Sequence, residues 1–185
     1  MDVILPEQTH GQIGMEGKRG DGKYPVLYLL HGMSDDHTIW QRRTAIERYA
    51  DRYHLAVIMP DGGKNSWYWD SPVDPTYNYE TFVSIELISY IDSHYKTKAD
   101  RTARAITGLS MGGHGAMYLA IRHQELFGAA GSTSGGVDIR PFPKNWGMSL
   151  RLGTIEENPE NWENYTVTNM VHMLKPNALK MIIDC

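Results

Sequence analysis

The pentapeptide Gly108-Leu109-Ser110-Met111-Gly112 constrains the fold of this chain more than any other feature. A short apolar stretch before it, residues 103–107, is typical of a buried strand, and residues 113–121 after it are typical of a helix. Between strand and helix, the serine stands at the tip of a tight turn, where side chains two positions away would collide with the adjoining backbone. The pattern therefore predicts an exposed Ser110 hydroxyl at the carboxyl edge of a sheet, next to amides that begin a helix.

The bulk composition excludes several classes of protein. The chain has 185 residues, of which 41% are hydrophobic and 22% charged, which predicts one domain with a substantial core. Its formal net charge of -4 argues against a nucleic-acid partner, because phosphate binding needs clustered cations. No apolar stretch approaches the roughly 20 residues that span a bilayer. Asp2, Pro6 and Glu7 do not fit a signal peptide, and Cys185 is the sole cysteine, so a cytoplasmic location without disulfides is expected.

Short apolar runs alternate with helical patterns along the chain. This alternation predicts an α/β fold, with a mostly parallel, doubly wound sheet covered by helices on both faces. Residues 41–54 and 81–95 carry apolar side chains at helical spacing. Residues 135–177 are rich in Pro, Asn, Trp and Glu, which predicts a loop-rich excursion of a single domain, 1–185, over the active-site edge. The predicted strands are 3–5, 26–30, 55–59, 103–107, 128–132 and 179–184.

A second element of an acyl-transfer centre follows the predicted strand 26–30. The elbow motif is typical of α/β-hydrolases, in which one oxyanion donor is the amide after the serine and the other lies in the loop after an earlier strand of the sheet. The sequence His31-Gly32-Met33 stands at that place, and its glycine lets the backbone turn an amide toward the site. We expect the Met33 and Met111 amides to be the oxyanion donors. A plain strand-ending turn is the alternative for His31-Gly32.

Several segments together resemble the esterase D family of α/β-hydrolases, which includes S-formylglutathione hydrolases, bacterial tributyrin esterases, and feruloyl and acetyl-xylan esterases. The tributyrin-esterase branch is the most similar in appearance. The resemblance implies the α/β-hydrolase fold, Ser110 as the nucleophile and the Met33 and Met111 amides as oxyanion donors. The segments that carry it are residues 24–33, His37-Thr38-Ile39-Trp40, Ile46-Glu47-Arg48-Tyr49, Met59-Pro60-Asp61-Gly62, Asn65-Ser66-Trp67-Tyr68 and residues 108–116.

The acid and the histidine of a catalytic triad are not found in the expected order. A serine hydroxyl needs a histidine to take its proton, and in this fold the order is Ser, then Asp or Glu, then His. His114, His123 and His172 follow Ser110 at unsuitable places, so packing or surface roles are favoured. Asp184 matches a residue that precedes the family's acid. We therefore expect a fragment or truncated form of a longer esterase, with a fold incomplete at its C-terminal end and a bare sheet edge that invites pairing with another copy.

Other motifs carry weaker signals. Asp35-Asp36-His37 suggests a metal site, but helix capping by residues 34–36 explains it more simply, and no metal is expected. The glycines around His114 lack the Gly-Lys-Ser/Thr of a phosphate loop. Trp67 and Tyr68 follow a strand at the edge where ligands bind, so substrate contact and packing beneath a loop are equal alternatives for these aromatics.

These observations predict a serine carboxylesterase of short-chain acyl esters that works without a cofactor through an acyl-serine intermediate. A thioester hydrolase such as S-formylglutathione hydrolase, or an acyltransferase, is the alternative within enzymes, because the elbow does not encode what enters after acylation. From another class, a catalytically inactive hydrolase-shaped binding module remains open.

Overall fold

A mostly parallel sheet forms the centre of the fold. The structure is a computed structural model, and it describes residues 1–6 and 22–185. Each of the strands predicted from the sequence is present, with bounds that shift by at most one residue. The strands are β1 (Asp2–Ile4), β2 (Val26–Leu30), β3 (Ala56–Met59), β4 (Arg104–Gly108), β5 (Ala129–Thr133) and β6 (Lys180–Asp184).

The strand order is β1-β3-β2-β4-β5-β6, so neighbours in the sheet are often distant in sequence. Only β1 among these strands runs antiparallel, against β3, whereas β3, β2, β4, β5 and β6 pair in parallel. Parallel neighbours need crossover connections, and the helices of this chain supply them. The predicted α/β architecture is confirmed, and the carboxyl ends of β2, β3 and β4 meet at one edge.

Helices cover the sheet on both faces. The structure describes α1 (Ile39–Arg43), α2 (Ile46–Tyr53), α3 (Tyr79–Thr81), α4 (Ile88–His94), α5 (Met111–Arg122), α6 (Ser149–Leu152) and α7 (Pro159–Asn164). A π-helical turn over Phe82–Leu87 joins α3 to α4, and 3₁₀ turns cover Arg101–Ala103 and Val167–Met173. A helix that spans a bilayer does not occur in the ranges that the structure describes.

Alternation along β2 separates two apolar clusters. Val26, Tyr28 and Leu30 face the larger cluster, which the buried helix α5 covers. Leu29 faces the smaller one, beneath α1 and α2. Because successive strand side chains point to opposite faces, a five-residue apolar run such as β2 must be buried on both sides. The central position of β4 and α5 places the connection between them, residues 109 and 110, at the carboxyl edge.

Two helical patterns differ in detail from the sequence prediction. The pattern over 41–54 divides into α1 and α2 because Thr44 is extended and its hydroxyl donates to the Trp40 carbonyl. In the second pattern, Ile85 is exposed although Ile88 and Ile91 are buried. The π-helical turn changes the number of residues per turn, so it rotates Ile85 away from the face that the later residues share.

Strand β6 forms one edge of the sheet and exposes its side chains. Ile182 and Ile183 are 75% and 63% exposed. Beside them, Leu27, Ala105, Gly131 and Ile182 contribute to an apolar recess of about 260 Å³ on the sheet. An edge strand also presents unpaired backbone groups. Within the described sheet, β6 therefore combines an unpaired edge with exposed apolar side chains.

Candidate active site

The turn between β4 and α5 holds Ser110 in a strained conformation. Ser110 has φ 55° and ψ −114°, a backbone conformation that residues other than glycine rarely adopt. Strand β4 ends at Gly108 and α5 begins at Met111, so the predicted strand–turn–helix is present. The Ser110 amide donates to the Thr133 carbonyl at 2.9 Å, and the His114 amide donates to the Ser110 carbonyl at 2.9 Å. The backbone is therefore held on both sides while the residue itself stays exposed.

The glycines of the motif are required by close backbone approach. A Cβ built on Gly108 would lie 2.5 Å from the Gly112 carbonyl carbon, and one on Gly112 would lie 2.5 Å from the Leu30 carbonyl oxygen. Those neighbours are backbone atoms, which cannot rotate away. The collision that the sequence analysis expected two positions either side of the serine is thus present, and it involves the end of β2 as well.

Two backbone amides beside Ser110 have no acceptor. Met111 is the next residue, and its amide, as the first of α5, has no partner within the helix. Gly32 brings the other strand end close, since a Cβ built there would lie 3.7 Å from the Ser110 Cβ, and Met33 follows directly. Within residues 1–6 and 22–185, neither the Met33 nor the Met111 amide donates a hydrogen bond. Buried amides are nearly always paired, so unpaired amides next to an exposed hydroxyl are suited to a developing oxyanion.

Buried side chains support the loop that carries Met33. The His31 ring accepts a hydrogen bond from the Gly62 amide at 2.7 Å through Nε2, and its Nδ1 lies 2.7 Å from the Gly32 carbonyl oxygen. This pair of contacts requires a neutral ring with its proton on Nδ1. The Tyr68 hydroxyl donates to the His31 carbonyl at 3.1 Å. The loop is thus held to the end of β3 and to the aromatic segment after it.

This supporting role of Tyr68 was not predicted from the sequence. Its side chain is fully buried, and it packs so closely on Gly62 and Gly115 that a Cβ on either would collide with the ring. Burial raises the pKa of Tyr68 well above its usual value, so the hydroxyl stays protonated as a donor. Of the two alternatives for this residue, packing describes its position in the structure. The glycines at the two contacting positions were the only sequence signal of this packing, but they can be interpreted only once the contacts are known.

Trp67 lies at the inner side of the same segment. It is 4% exposed, its ring stacks on Trp69 at 5.4 Å, and it meets the His114 ring edge-to-face at 5.2 Å. Trp67 and Tyr68 have φ of 56° and 61°, which is strained for aromatic residues. Substrate contact by Trp67 remains a prediction.

His114 is packed in the core under the elbow. Both ring nitrogens are used, because Nε2 accepts from Trp69 Nε1 at 2.9 Å and Nδ1 lies 2.7 Å from the Gly136 carbonyl oxygen. Burial lowers the pKa of His114 to about 4, against a smaller opposing effect of the Gly136 hydrogen bond. A neutral ring with both nitrogens engaged has none left to take a proton from Ser110.

The other two histidines after Ser110 are also engaged elsewhere. His123 Nε2 lies 2.8 Å from the Glu80 carboxylate, which also accepts from Tyr118 and Arg122. His172 is exposed on the 3₁₀ turn, with Nδ1 2.7 Å from the Asn169 carbonyl oxygen. In the described part of the chain no histidine bonds to the Ser110 hydroxyl. Asp184 lies at the end of β6, in register with Thr133, and is exposed.

Among the described residues, no three His, Cys, Asp or Glu side chains converge as a metal site would require. In the segment 35–37, Asp36 accepts hydrogen bonds from the Thr38 amide at 2.8 Å and the Thr38 hydroxyl at 2.6 Å. The carboxylate therefore holds the turn before α1, two positions ahead of Thr38, which is the residue at the helix cap.

A cavity of about 410 Å³ opens beside the Met33 loop. The loops after β2 and β3 form one side of it, and the 135–177 segment contributes Trp146 and Gly147. The Trp67 Nε1 reaches the Trp146 carbonyl at 3.5 Å, which ties this segment to the aromatic one. Space for a small molecule is thus available beside Met33, whose amide is one of the two that lack an acceptor.

Comparison with known proteins adds the evolutionary context. A family model described as "Putative esterase" matches residues 3–184. Diacylglycerol acyltransferase/mycolyltransferase Ag85B of Mycobacterium avium is 38% identical over 135 residues, covering 68% of this chain and 40% of that protein. Esterase Rv1288 of Mycobacterium tuberculosis is 36% identical over 149 residues, covering 76% and 30%. The chain therefore spans less than half the length of these curated relatives.

Solved structures share the fold. FphF, a fluorophosphonate-binding serine hydrolase of Staphylococcus aureus, matches with a TM-score of 0.77 at 25% identity, covering 98% of this chain and 70% of that one. S-formylglutathione hydrolases and ferulic acid esterases are among the further structures with this fold. The architecture predicted from the sequence is the one that these proteins have.

Proposed function

This chain belongs to the esterase family, and from that premise we propose that its protein is a serine carboxylesterase that hydrolyses short-chain acyl esters through an acyl-serine intermediate. The esterase resemblance found in the sequence is confirmed. The observation that carries the proposal is a single one: an exposed serine held at φ 55°, beside two amides that have no acceptor among the described residues.

The proposed reaction follows from that geometry. The Ser110 oxygen attacks the ester carbonyl, and the carbonyl oxygen becomes an oxyanion that accepts hydrogen bonds from the Met33 and Met111 amides. The bond to the alcohol then breaks, and the acyl group stays on Ser110 until water releases it as the acid. The proton of Ser110 needs a base, and in related enzymes of this fold that base is a histidine. The described histidines do not fill this role, so we assign the base to none of them.

The cavity beside Met33 supports an assignment of the substrate pocket. We assign the 135–177 segment, within a single domain, to the wall of this pocket, because Trp146 and Gly147 line it. A small-molecule acyl ester is the proposed substrate. Pairing between copies at the exposed β6 edge and a cytoplasmic location both stay predictions.

A burst experiment with an activated phenyl acetate tests the catalytic role of Ser110. We expect one equivalent of phenol per chain and an acetyl group on the Ser110 peptide in mass spectrometry. Continued turnover indicates that a base is supplied, whereas a burst alone indicates a stranded acyl-enzyme. Absence of any burst with an intact fold would favour the inactive binding module instead.

A matched pair of variants sharpens this test. Ser110→Ala removes the nucleophile and abolishes the burst. Ser134→Ala is the control, because Ser134 is also exposed, has a positive φ of 50° and lies near the same edge, where its amide donates to the Asp184 carbonyl. A burst that persists in Ser110→Ala, or disappears in Ser134→Ala, contradicts the assignment.

An acyltransferase is the second candidate, favoured by the Ag85 relatives, which are named as diacylglycerol acyltransferases. In that reaction an alcohol oxygen attacks the acyl-serine in place of water, so a new ester forms as the Ser110–acyl bond breaks. Adding a simple alcohol or a diacylglycerol during turnover separates the two. A new ester as the main product supports transfer, and free acid as the main product supports hydrolysis.

A further inference from the structure

The cavity beside Met33 is lined by hydrogen-bond donors but by no described acidic side chain. Its walls also carry aromatic rings, and none of the described residues that line it is Asp or Glu. Such a lining distinguishes among esters that the unpaired amides alone would accept equally. The lining includes Met33, Ser34, Lys64, Asn65, Tyr77 and Trp146.

Lys64 brings an uncompensated positive charge to this cavity. It is exposed, and within the described residues its ammonium group makes no ion pair. Its backbone carbonyl accepts a hydrogen bond from the Ser34 amide at 2.9 Å, which fixes the Lys64 backbone beside the Met33 loop. The nearest carboxylates along the chain are engaged elsewhere, because Asp61 lies beside His31 and His37 and Asp70 accepts hydrogen bonds from Thr81.

Asn65 adds a second donor whose direction is set by a buried arginine. Arg151 Nη2 donates to Asn65 Oδ1 at 3.2 Å, and because a guanidinium can only donate, the oxygen must face Arg151. The Asn65 amino group therefore points the other way. A Cβ built on Gly147, in the cavity wall, would lie 2.9 Å from Asn65 Nδ2. No acceptor for this amino group exists among the described residues.

Arg151 itself is not available to a ligand. It is 7% exposed, its Nη1 donates to Asp74 at 2.7 Å, and its guanidinium carbon lies 3.3 Å from the centre of the Tyr77 ring. Its charge is compensated by Asp74 and its planar face is covered by Tyr77. It acts on the cavity only by orienting Asn65.

We propose that this cavity binds a carboxylate carried by the ester substrate, with the Lys64 ammonium and the Asn65 amino group as its two donors. The inference rests on the proposed function in one respect: the carboxylate belongs to the ester whose carbonyl meets Ser110. Charge-assisted hydrogen bonds are stronger than neutral ones, so a substrate with a negative group here is favoured over its neutral analogue. A carboxylate is the expected ligand because these two donors have no acidic residue beside them in the cavity wall.

Equilibrium binding tests the proposal without requiring turnover. Monomethyl succinate carries one ester and one carboxylate, and dimethyl succinate is its neutral counterpart. Ligand-detected NMR titrations of the Ser110→Ala protein give a dissociation constant for each. We expect monomethyl succinate to bind about fivefold to tenfold more tightly, and the preference to shrink at high salt because the ion pair is exposed.

Two variants and a control locate the effect. Lys64→Gln and Asn65→Asp should each remove the preference for monomethyl succinate, the second because it retains the acceptor for Arg151 but replaces the donor by a negative oxygen. Lys98→Gln is the matched control, an exposed lysine near Tyr24 at the amino end of β2. Circular dichroism verifies that each variant is folded.

The outcomes separate this proposal from the catalytic one. Equal affinities for the two succinates, or a preference that persists in Lys64→Gln and Asn65→Asp, overturns the carboxylate site. A preference that disappears in Lys98→Gln as well overturns it too, because the effect then reflects net charge. A preference that depends on Lys64, found in a protein that gives no burst, supports the site while the proposed function fails.

Discussion

Replacement of Gly112 by alanine tests the packing that positions the reactive serine. Gly112 is the second residue of α5, and a helix position by itself favours alanine over glycine by about 0.5–1 kcal/mol. In this structure, however, the new Cβ would lie 2.5 Å from the Leu30 carbonyl oxygen and 2.7 Å from that of His31. Both are backbone atoms, so the end of β2 and the start of α5 must separate.

The expected cost exceeds the gain in helix propensity. Overpacking typically costs 1–3 kcal/mol, and a clash with backbone belongs to the upper part of that range. We expect Gly112→Ala to lower the free energy of unfolding by about 2 kcal/mol, which moves the urea midpoint by about 1 M at an ordinary m-value. Because the separation also moves the Met33 amide, which follows β2, away from Ser110, we expect acylation to slow by about 100-fold.

Urea unfolding followed by tryptophan fluorescence measures the first quantity, and the phenol burst measures the second. Gly136→Ala is the matched control, since a Cβ there would lie 3.5 Å from the Trp67 ring, an ordinary contact, and its effect should stay within about 0.5 kcal/mol. If Gly112→Ala is as stable as the parent protein, or more so, and acylates at the same rate, the close approach of β2 and α5 is not what holds the elbow.

Three further predictions concern buried polar groups. Burial lowers the pKa of His114 to about 4, so between about pH 6.5 and 4 only the unfolded chain gains this proton. The free energy of unfolding should therefore fall by about 3 kcal/mol as the pH is lowered across that window. In His114→Gln, the urea midpoint should depend less on pH over the same range. Burial raises the pKa of Glu80, but hydrogen bonds from His123, Arg122 and Tyr118 outweigh this effect and hold the pKa at about 2. The ionised carboxylate therefore stabilises the folded state above about pH 4.3, and this contribution is lost as the pH falls toward 2. Glu80→Gln should lower the free energy of unfolding by about 3 kcal/mol, measured in urea at pH 7. Tyr68→Phe should cost about 1 kcal/mol and slow the burst without changing succinate binding; an unchanged burst rate would show that its hydrogen bond to His31 does not position the loop.

Much of the fold was accessible from the sequence because its signals are local. Parallel strands buried on both faces are continuous apolar runs, and the runs at 26–30 and 103–107 became β2 and β4 with bounds within one residue. The helix pattern over 81–95 was accurate in place but wrong about Ile85, because a π-helical turn changes the periodicity without changing composition. Register and strand order were not accessible, since neither is encoded within any one segment.

The candidate site shows the same division. The position of Ser110 followed from a pentapeptide whose glycines are demanded by backbone sterics. The supporting role of Tyr68 did not, because its partners Gly62, Gly115 and His31 come from different loops and a different helix. The direction of the Asn65 amino group was equally hidden, since Arg151, which sets it, is distant in sequence.

By itself, the sequence determined where strands and helices occur along the chain, the strained corner at Ser110 and membership of the esterase family. These depend on hydrophobic periodicity and on steric limits of a few consecutive residues. Tertiary structure alone decided how closely the end of β2 approaches Ser110, that His31 and Tyr68 hold the Met33 loop, and that Lys64 and Asn65 line one cavity with Trp146. Such contacts depend on how parallel strands bring distant segments of the chain to one edge of the sheet, and no local sequence pattern predicts that arrangement.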